Sequence, residues 1–501
     1  MKFKVRLTAL LLAALMLLPA CANEDDTAKP TIQDETTAAA TTPTEETKEL
    51  TDAEKRALVP DDLPDINFDG REFNIICRNF CLYEFESEEE SGDTIGDAVY
   101  RRNLKVEDRF GVEIITHGFG ENITYNILGN MDKSIKANDN AYQLGAAYSY
   151  LGTTSAVNGG YVNWYDLDYI NLDKPWWSKE YLEAASYDNV SFIANGDLSL
   201  LFNEVTLAMF FNKKIAEDFT LGNIYEIVSS GSWTLDKLSE HSKLVAEDLD
   251  GNSVMNTEDR VGLATNNCTH IDNFLFSSDI TITERDENGY PVLVVNNETT
   301  VKLIETLKTL LENSPYNMIN DDGMYALPDG MFANNQALYM TSWLGDASRY
   351  RDMEADFGII PYPKFDENQE NYATSFLDRT DFFVIPVTAD LEYVPIITEA
   401  MAAESYKNVI PAFYDVALKT KYSRDNESQE MIDLILDNIK FDFAHIYSYS
   451  LGTGSVAPSM LPRETVKNRG AKNYSSLYAS LEKRFSKNLE KLIEKFEKAM
   501  G

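Results

Sequence analysis

Histidine and cysteine are scarce in this sequence. It contains four of each among 501 residues, and no histidine lies in an H-E-x-x-H pair or has a thiolate at metal-ligand spacing. A G-x-S-x-G elbow, a phosphate-cradling glycine loop and a dinucleotide-binding fingerprint are also missing. These absences argue against the common metal, serine and nucleotide-dependent enzymes. A glycoside hydrolase needs only two carboxylates, so a sequence with 82 acidic residues does not exclude one. Binding is nevertheless the favoured role.

Basic residues are also under-represented. There are 44 Lys and Arg residues against 82 Asp and Glu residues, giving a formal net charge of -38. Such a surface repels nucleic acid and anionic lipid, so we expect neither as a partner.

Three cysteines remain after Cys21, namely Cys77, Cys81 and Cys268. Because the number is odd, at most one disulfide can form within the chain. The four-residue spacing of Cys77 and Cys81 leaves open a bridge or two buried free thiols. Neither alternative points to catalysis.

The sequence has a single long apolar run, residues 7–18, preceded by basic residues at positions 2, 4 and 6. The run is too short to span a bilayer in the mature protein and is typical of an export signal. The segment before Cys21 resembles a lipobox, which predicts a signal peptide over 1–20 and a lipid on Cys21. An ordinary signal peptide with a chance cysteine is the alternative. We therefore expect a bacterial lipoprotein that contacts the membrane through its lipid alone, on the extracellular face of the cytoplasmic membrane.

Residues 21–65 are rich in Thr, Ala, Glu, Asp and Pro and have almost no apolar side chain before Leu50. Such a segment cannot bury enough surface to offset its ordering entropy, which predicts a disordered tether. About 45 residues of flexible chain spread over roughly 35–40 Å, enough to lift a folded body clear of the membrane.

The rest of the chain, from about residue 66, is too long for one core and predicts two lobes. Its first part alternates strands and helices, the pattern of an α/β fold with a parallel sheet covered by helices. The predicted elements are strands Glu72–Cys77, Val112–Thr116 and Leu144–Tyr148, and helices Asp97–Phe110 and Ile123–Ala137.

The stretch 331–365 contains a second informative pattern. A strand is predicted over Ala337–Thr341, followed by Trp343, a helix through Met353 and a strand over Phe357–Ile360. A large aromatic side chain directly after a strand lies where open α/β sheets bind ligands, at the carboxyl ends of their strands. The alternative is that Trp343 covers the core.

This stretch resembles the part of extracellular solute-binding proteins in which a tryptophan stacks on the ligand. The run Phe210–Lys214 is similar to the Y-N-K motif of the same proteins. The resemblance is to carbohydrate-type, family 1, maltose-binding-protein-like subunits of ABC importers, and it covers nearly the whole body.

The resemblance implies two α/β lobes of the periplasmic-binding-protein type with a ligand cleft between them. Lobe 1 would comprise 66–203 and 378–430, and lobe 2 would comprise 204–377 and 431–501. The protein would act as a monomer that captures a solute by hinge closure and delivers it to a membrane permease. Many aromatic residues favour an oligosaccharide as that solute. No cofactor is required.

The expected ligand contacts follow from this resemblance. Trp343 is the stacking residue, and Trp176 or Trp177 is its counterpart. Two adjacent tryptophans in a regular element cannot both face one core, so at least one should be exposed or line a cleft; packing between the lobes is the alternative. The other candidates are Tyr148, Tyr150, Glu204, His270 and Asp272.

Residues 248–259 have the ligand spacing of a calcium loop. Oxygen side chains fall at loop positions 1, 3, 5, 9 and 12, and a backbone carbonyl at position 7. Two features depart from the pattern, because Ser253 replaces the glycine of position 6 and position 12 is an aspartate. The alternative is a solvated acidic turn, and a bound ion would be structural. The candidate ligands are Asp248, Asp250, Asn252, Val254, Asn256 and Asp259.

Two other functions stay open. A surface lipoprotein with glycoside hydrolase activity would need two carboxylates that converge in the cleft, one with a raised pKa. A structural or glycan-adhesion lipoprotein would have no enclosed cleft.

Overall fold

The described part of the chain comprises residues 50–120, 126–321, 326–376, 380–414, 425–452, 456–467 and 473–500 of a computed structural model. The chain divides into two units, Met1–Leu50 and Thr51–Gly501, and every element named below belongs to the second. The predicted signal peptide, the lipidation site Cys21 and the tether up to residue 49 lie outside the described residues. Their assignment therefore stays a prediction.

Two main sheets contain most of the strands. The strands are β1 (Arg71–Arg78), β2 (Val112–Phe119), β3 (Leu144–Tyr148), β4 (Leu207–Asn212), β5 (Val261–Asn266), β6 (Thr283–Arg285), β7 (Pro291–Leu293), β8 (Asn317–Asn320), β9 (Ala337–Trp343), β10 (Phe357–Ile360) and β11 (Asp381–Val384).

The first sheet has the strand order β2-β1-β3-β11. Strands β1, β2 and β3 run parallel, as the alternating pattern predicts, and β11 returns antiparallel to β3. The three predicted strands are confirmed, with ends that differ by three residues or fewer. The helix Thr94–Phe110, which precedes β2, begins after Asp93, whose side chain accepts the Gly96 N–H at 2.8 Å, and it ends at Gly111 with φ of 60°.

The second sheet has the order β10-β4-β9-β5-β8. Strands β5, β8 and β9 run parallel, and β4 lies antiparallel between β9 and β10. Every residue of β4 and β5 is buried, because helices cover both faces of the sheet. This burial explains why these strands are nearly continuous apolar runs. Strands β6 and β7 form a separate hairpin.

Helices surround both sheets. They are α1 (Asp52–Ala57), α2 (Leu82–Phe85), α3 (Thr94–Phe110), α4 (Leu128–Ala137), α5 (Ser149–Ala156), α6 (Lys179–Ala185), α7 (Leu201–Glu204), α8 (Lys213–Asp218), α9 (Ile224–Ser229), α10 (Leu235–Val245), α11 (Thr269–Ser277), α12 (Glu298–Leu307), α13 (Ala326–Ala333), α14 (Val394–Glu404), α15 (Ile410–Ala412), α16 (Asn426–Leu436), α17 (Phe443–Ile446), α18 (Ser448–Leu451), α19 (Leu461–Lys467) and α20 (Tyr474–Met500). Short 3-10 turns cover Asn79–Cys81, Trp164–Asp166, Leu344–Tyr350 and Pro458–Met460, and π-helical turns cover Lys308–Glu312 and Ser405–Val409.

The chain passes between the two sheets in segments that lie side by side. Thr206 forms an antiparallel bridge with Phe376, and Thr374 forms a parallel bridge with Ile439. The strands of the first sheet come from residues 71–148 and 381–384, and those of the second from residues 207–360. This two-lobed α/β arrangement agrees with the predicted fold class. The exact lobe limits stay a prediction.

The predicted tether is too long at its carboxyl end. Helix α1 lies within it, opened by a capping box in which Thr51 and Glu54 exchange backbone and side-chain hydrogen bonds. Asp61 forms an ion pair with Arg109, and Lys174 with Asp62. These specific contacts order residues that composition alone assigns to a flexible segment.

The thiols of Cys77 and Cys81 are both buried and free, so the spacing of these cysteines does not mark a disulfide. Cys268 is half-buried. Burial raises the pKa of both buried thiols well above the ordinary range of cysteine, because the thiolate would be poorly solvated. Burial thus favours the protonated thiols, and the Cys81 thiol hydrogen-bonds to the Asp381 carboxyl.

Candidate functional site

The candidate site is built from side chains at the carboxyl ends of strands in the two lobes, and one part of it is a group of tyrosines around the end of β3. Tyr148 is the last residue of β3, and Tyr150 lies in the first turn of α5. Their ring centroids are 6.2 Å apart, and the Tyr150 ring meets Tyr449 edge-on at 5.2 Å. Tyr148 is buried, Tyr150 half-buried and Tyr449 39% exposed. The three rings therefore run from the core to the surface.

The buried side chain of Arg78 packs against the innermost of these rings. The guanidinium of Arg78, at the end of β1, lies 5.1 Å from the centroid of the Tyr148 ring. Arg78 is in turn paired with Asp381 at 2.7 Å, and both side chains have no exposed surface. Asp381 also lies opposite Tyr148 in the β3–β11 register. The position of the Tyr148 ring is thus fixed by packing and charge.

Trp343 supplies the second-lobe side of the site. It is the last residue of β9, which extends two residues beyond its predicted end. Its side chain is half-buried and contacts two of the hydrophobic clusters, one of which is built largely from the first lobe. A partly exposed indole is therefore available at the carboxyl end of a strand, the position that the sequence indicates.

His270 lies against Trp343 and is itself buried. The two ring centroids are 5.9 Å apart at an interplanar angle of 77°, and His270 Nδ1 is 2.9 Å from Thr341 Oγ1. His270 retains 1% of its exposed surface. The His270 ring is placed to orient the Trp343 indole. The sequence predicts a direct ligand contact for His270, which would require the imidazole to become accessible.

Glu204 lies between the two lobes at the end of α7. Its carboxylate accepts a hydrogen bond from the Tyr83 hydroxyl at 2.9 Å. On its other side is Gly345, where an added Cβ would lie 3.2 Å from the Cβ and the carbonyl oxygen of Glu204. Burial raises the pKa of Glu204 to about 7, and the hydrogen bond from Tyr83 opposes this shift. Glu204 is half-buried and can accept or donate a hydrogen bond near neutral pH.

Neither Trp176 nor Trp177 is exposed, but Trp177 lines a cavity, which is the second of the two outcomes that the sequence predicts for this pair. Trp176 is 0% and Trp177 5% exposed, and both indole N–H groups donate to Glu399, at 3.0 and 2.8 Å. The chain here is a turn, so the two adjacent indoles can both reach Glu399. The Trp176 indole has no exposed surface, so it is not available as the counterpart of Trp343.

Asp272 is also placed differently from its expected role. It is 2% exposed, forms an ion pair with Arg463, and accepts the Arg463 backbone N–H at 3.1 Å. The contact joins α11 to α19. Asp272 thus positions the C-terminal helices against the second lobe.

Two buried carboxylates of the first lobe, Glu84 and Asp381, are engaged in the fold. Glu84 has no exposed surface and accepts hydrogen bonds from Ser199 Oγ, Leu200 N and Leu201 N at 3.0, 2.6 and 3.1 Å. Glu84 therefore caps α7. Of Glu84, Glu204 and Asp381, only Glu204 is partly exposed.

The acidic loop 248–259 brings its carboxylates together. Asp248, Asp250 and Asp259 can offer oxygen atoms within 4.8 Å of one another. Ser253 adopts φ of 65°, the left-handed conformation for which glycine is usual at this position. The Val254 carbonyl accepts the side-chain amide of Asn256 at 3.0 Å, and Asn252 Oδ1 accepts the Val254 N–H at 2.7 Å. The unusual serine thus does not prevent the turn.

Several residues of the site were not identified from the sequence. Tyr83, Tyr449, Arg78 and Asp381 belong to segments that look unremarkable in isolation. The aromatic run Tyr447–Tyr449 is the one local signal that could have been used. Arg78 and Asp381 are 303 residues apart, so no local pattern connects them.

Comparison with solved structures decides the fold. An extracellular solute-binding protein from Staphylococcus aureus in complex with maltose aligns with 86% of this chain and 99% of its own length, at a TM-score of 0.55 and 12% identity. The chain has the fold of the extracellular solute-binding proteins. A cyclo/maltodextrin-binding protein complexed with maltotetraose aligns at a TM-score of 0.56 and 11% identity, over 84% of this chain and 97% of that one.

A family 1 extracellular solute-binding protein from Bifidobacterium longum subsp. infantis shares the solute-binding fold at a TM-score of 0.53 and 12% identity, over 83% and 100% of the two chains. No profile of a known protein family matches the sequence, and no curated protein is detectably similar in sequence. Within the described residues, no helix combines the length and the apolar character needed to cross a bilayer.

Proposed function

We propose that this protein is an extracellular solute-binding lipoprotein that captures an oligosaccharide and delivers it to the permease of an ABC importer. The observation that carries the proposal is that Trp343 ends β9 and Tyr148 ends β3, with the rings of Tyr150 and Tyr449 next to that of Tyr148. Aromatic faces stack on the CH-rich faces of sugar rings, and they lose little conformational entropy when they do so.

The solved structures support a carbohydrate as the solute. Proteins of the same fold are complexed with maltose and maltotetraose, and another is described with acarbose. Half-buried Glu204 and the Tyr83 hydroxyl would provide hydrogen bonds beside the aromatic faces. The lipid on Cys21 would keep the protein at the extracellular face of the membrane, where it would act as a monomer without nucleic acid.

The calcium loop belongs to the same proposal as a structural element. Its three converging carboxylates provide the hard oxygen ligands that Ca²⁺ prefers. Bound there, Ca²⁺ would neutralise charge and hold the loop between α10 and β5. It would take no part in solute binding.

Intrinsic tryptophan fluorescence tests the proposal sharply. Four of the five tryptophans, at positions 164, 176, 177 and 233, are at most 5% exposed, so a solute-induced shift should come from Trp343. We expect a saturable shift with one member of an oligosaccharide panel, without release of smaller sugars. Trp343→Ala should weaken binding at least about tenfold, because stacking area is lost.

Trp164→Phe is the matched control, since this buried tryptophan lies in the first-lobe core. It should retain the shift and the affinity. Absence of binding across the panel would overturn the choice of carbohydrate. Release of smaller sugars that is lost in Glu204→Gln would favour a hydrolase.

A further inference from the structure

A second cavity lies on the other side of β11 from the tyrosine group. Its volume is about 440 Å³. Ala194 bridges to Phe383 of β11 and Gly196 bridges to Trp177, so these segments extend the first sheet beyond its last strand. The Asn195 side chain donates to the Asp381 carbonyl at 2.6 Å, whereas Tyr148 lies opposite Asp381 on the β3 side. The strand therefore lies between this segment of the cavity wall and Tyr148 of the proposed solute site.

The wall of the cavity comes from both lobes. The first lobe supplies the turn around Trp177 and the segment that contains Asp197. Opposite them lie Asp437 and Phe441, directly after α16. Helix α16 is attached to the second sheet, because Ser428 Oγ accepts the Ile359 N–H at 3.3 Å. An occupant would thus contact two parts of the molecule that are distant in sequence.

Carboxylates and aromatic rings dominate this wall. Asp197, Glu180 and Asp437 supply three carboxyl groups, and Trp177, Phe202, Tyr414 and Phe441 supply four aromatic side chains. Among the described residues, no lysine, arginine or histidine lines the cavity. Glu180 and Asp437 are exposed, whereas Asp197 is half-buried. The carboxyl groups therefore extend from the mouth inward.

The Asp197 carboxylate makes no hydrogen bond or ion pair within the described part of the chain. The cation that acts on it, Arg56, donates to the Tyr406 carbonyl at 3.3 Å and lies 4.4 Å above the Tyr406 ring. Burial raises the pKa of Asp197 to about 7, which Arg56 opposes. A carboxylate withdrawn from water without a partner is costly, and a bound cation with N–H donors would remove this cost.

We propose that this cavity binds a small organic ammonium compound, with the cationic group at Asp197 and its carbon atoms against Trp177 and Tyr414. Rings and carboxylates together favour a cation, because the ring faces are electronegative and the carboxylates attract its charge. An anionic compound would be repelled. A neutral polyol could form hydrogen bonds in the cavity, but it would gain nothing from the attraction between the carboxylates and a positive charge.

Isothermal titration calorimetry of the purified full-length chain tests the site, with 1,4-diaminobutane and choline as probes at low salt. We expect saturable binding of at least one probe to one site. Asp197→Asn should weaken it about tenfold or more, because a charged contact is lost. Tyr414→Leu removes a ring without changing charge and should also weaken it, so the test survives if one variant fails to fold.

Glu312→Gln is the matched control. It removes one carboxylate from a different cavity of about 310 Å³, next to β8, and should leave the affinity unchanged. The proposal is overturned if neither probe binds, if both cavity variants bind as the unmodified chain does, or if ribitol binds more tightly than either cation. Trp343→Ala should retain ammonium binding, so failure here is distinguishable from failure of the proposed sugar function.

Discussion

Arg78 and Asp381 form an ion pair at 2.7 Å in which neither side chain has any exposed surface. The pair joins the end of the first strand of the first sheet to the beginning of the strand that returns from the second lobe. It also lies beneath Tyr148, through the cation–π contact of Arg78. The pair thus connects the topology of the chain to the proposed site.

Removal of one partner should be strongly destabilising, because the other charge is left buried and unpaired. We expect Arg78→Met to lower the free energy of unfolding by about 3–5 kcal/mol, measured by urea denaturation. Arg101→Met is the control: Arg101 pairs with Glu90 at 2.7 Å, but the two side chains are 58% and 52% exposed. That variant should lose less than about 1 kcal/mol. Equal losses in the two variants would contradict the role of burial.

Glu399 is the second buried group whose substitution is informative, since it accepts both indole N–H groups. In Glu399→Gln the amide oxygen can still accept one N–H, but the amide nitrogen must face the other indole. We expect a loss of about 1–3 kcal/mol in the free energy of unfolding and a changed near-ultraviolet circular dichroism spectrum. Glu392→Gln, an exposed neighbour, should change neither. An unchanged spectrum in Glu399→Gln would argue against the shared contact.

The pH dependence of stability follows from carboxyls that burial keeps protonated. Burial raises the pKa of Glu84 to about 8 and that of Glu399 to about 7, against about 4.3 in an unfolded chain. The folded state therefore binds more protons than the unfolded state within this window. The contribution of these groups to stability is complete below about pH 4 and is lost as the pH rises towards about 8.

Urea denaturation between about pH 5 and about pH 8 should thus give a falling free energy of unfolding. Glu84→Gln should flatten this slope, because glutamine does not titrate. Glu113→Gln, at an exposed position of β2, should keep it. The measurement should be made at high salt, which screens the repulsion of an acidic surface but affects buried groups less. A rising slope under these conditions would contradict the prediction.

Calcium should stabilise the folded chain if the acidic loop binds it. We expect Ca²⁺ to raise the thermal unfolding midpoint in a saturable manner, with a gain of about 2.7 kcal/mol at a hundredfold excess over the dissociation constant. Asp250→Asn should remove most of the gain, because a ligand charge is lost. Glu258→Gln, an exposed residue between the candidate ligands, should preserve it. The same gain in Asp250→Asn, or none in the unmodified chain, would exclude the loop as a calcium site.

The elements around the site were largely predictable because each pattern lies within a few consecutive residues. Leu144–Tyr148 is a strand with the predicted ends, and Trp343 lies at the carboxyl end of a strand. The predictions failed where long-range contacts, and not local composition or periodicity, determined the structure. Residues 52–65 look like a tether but are fixed by contacts such as Asp61–Arg109 and Asp62–Lys174.

The sequence by itself determined the alternating strands and helices, the two-lobed class of fold and the aromatic residue at the end of β9. This was possible because the residues that each strand or helix buries form a regular apolar pattern in the sequence of that element. The tertiary structure alone decided which polar groups meet. Glu399 accepts hydrogen bonds from Trp176 and Trp177, which precede it by 223 and 222 positions. Asp272 pairs with Arg463, which follows it by 191 positions. These contacts depend on the path of the chain between the two lobes. A pattern within a few consecutive residues contains no information about that path.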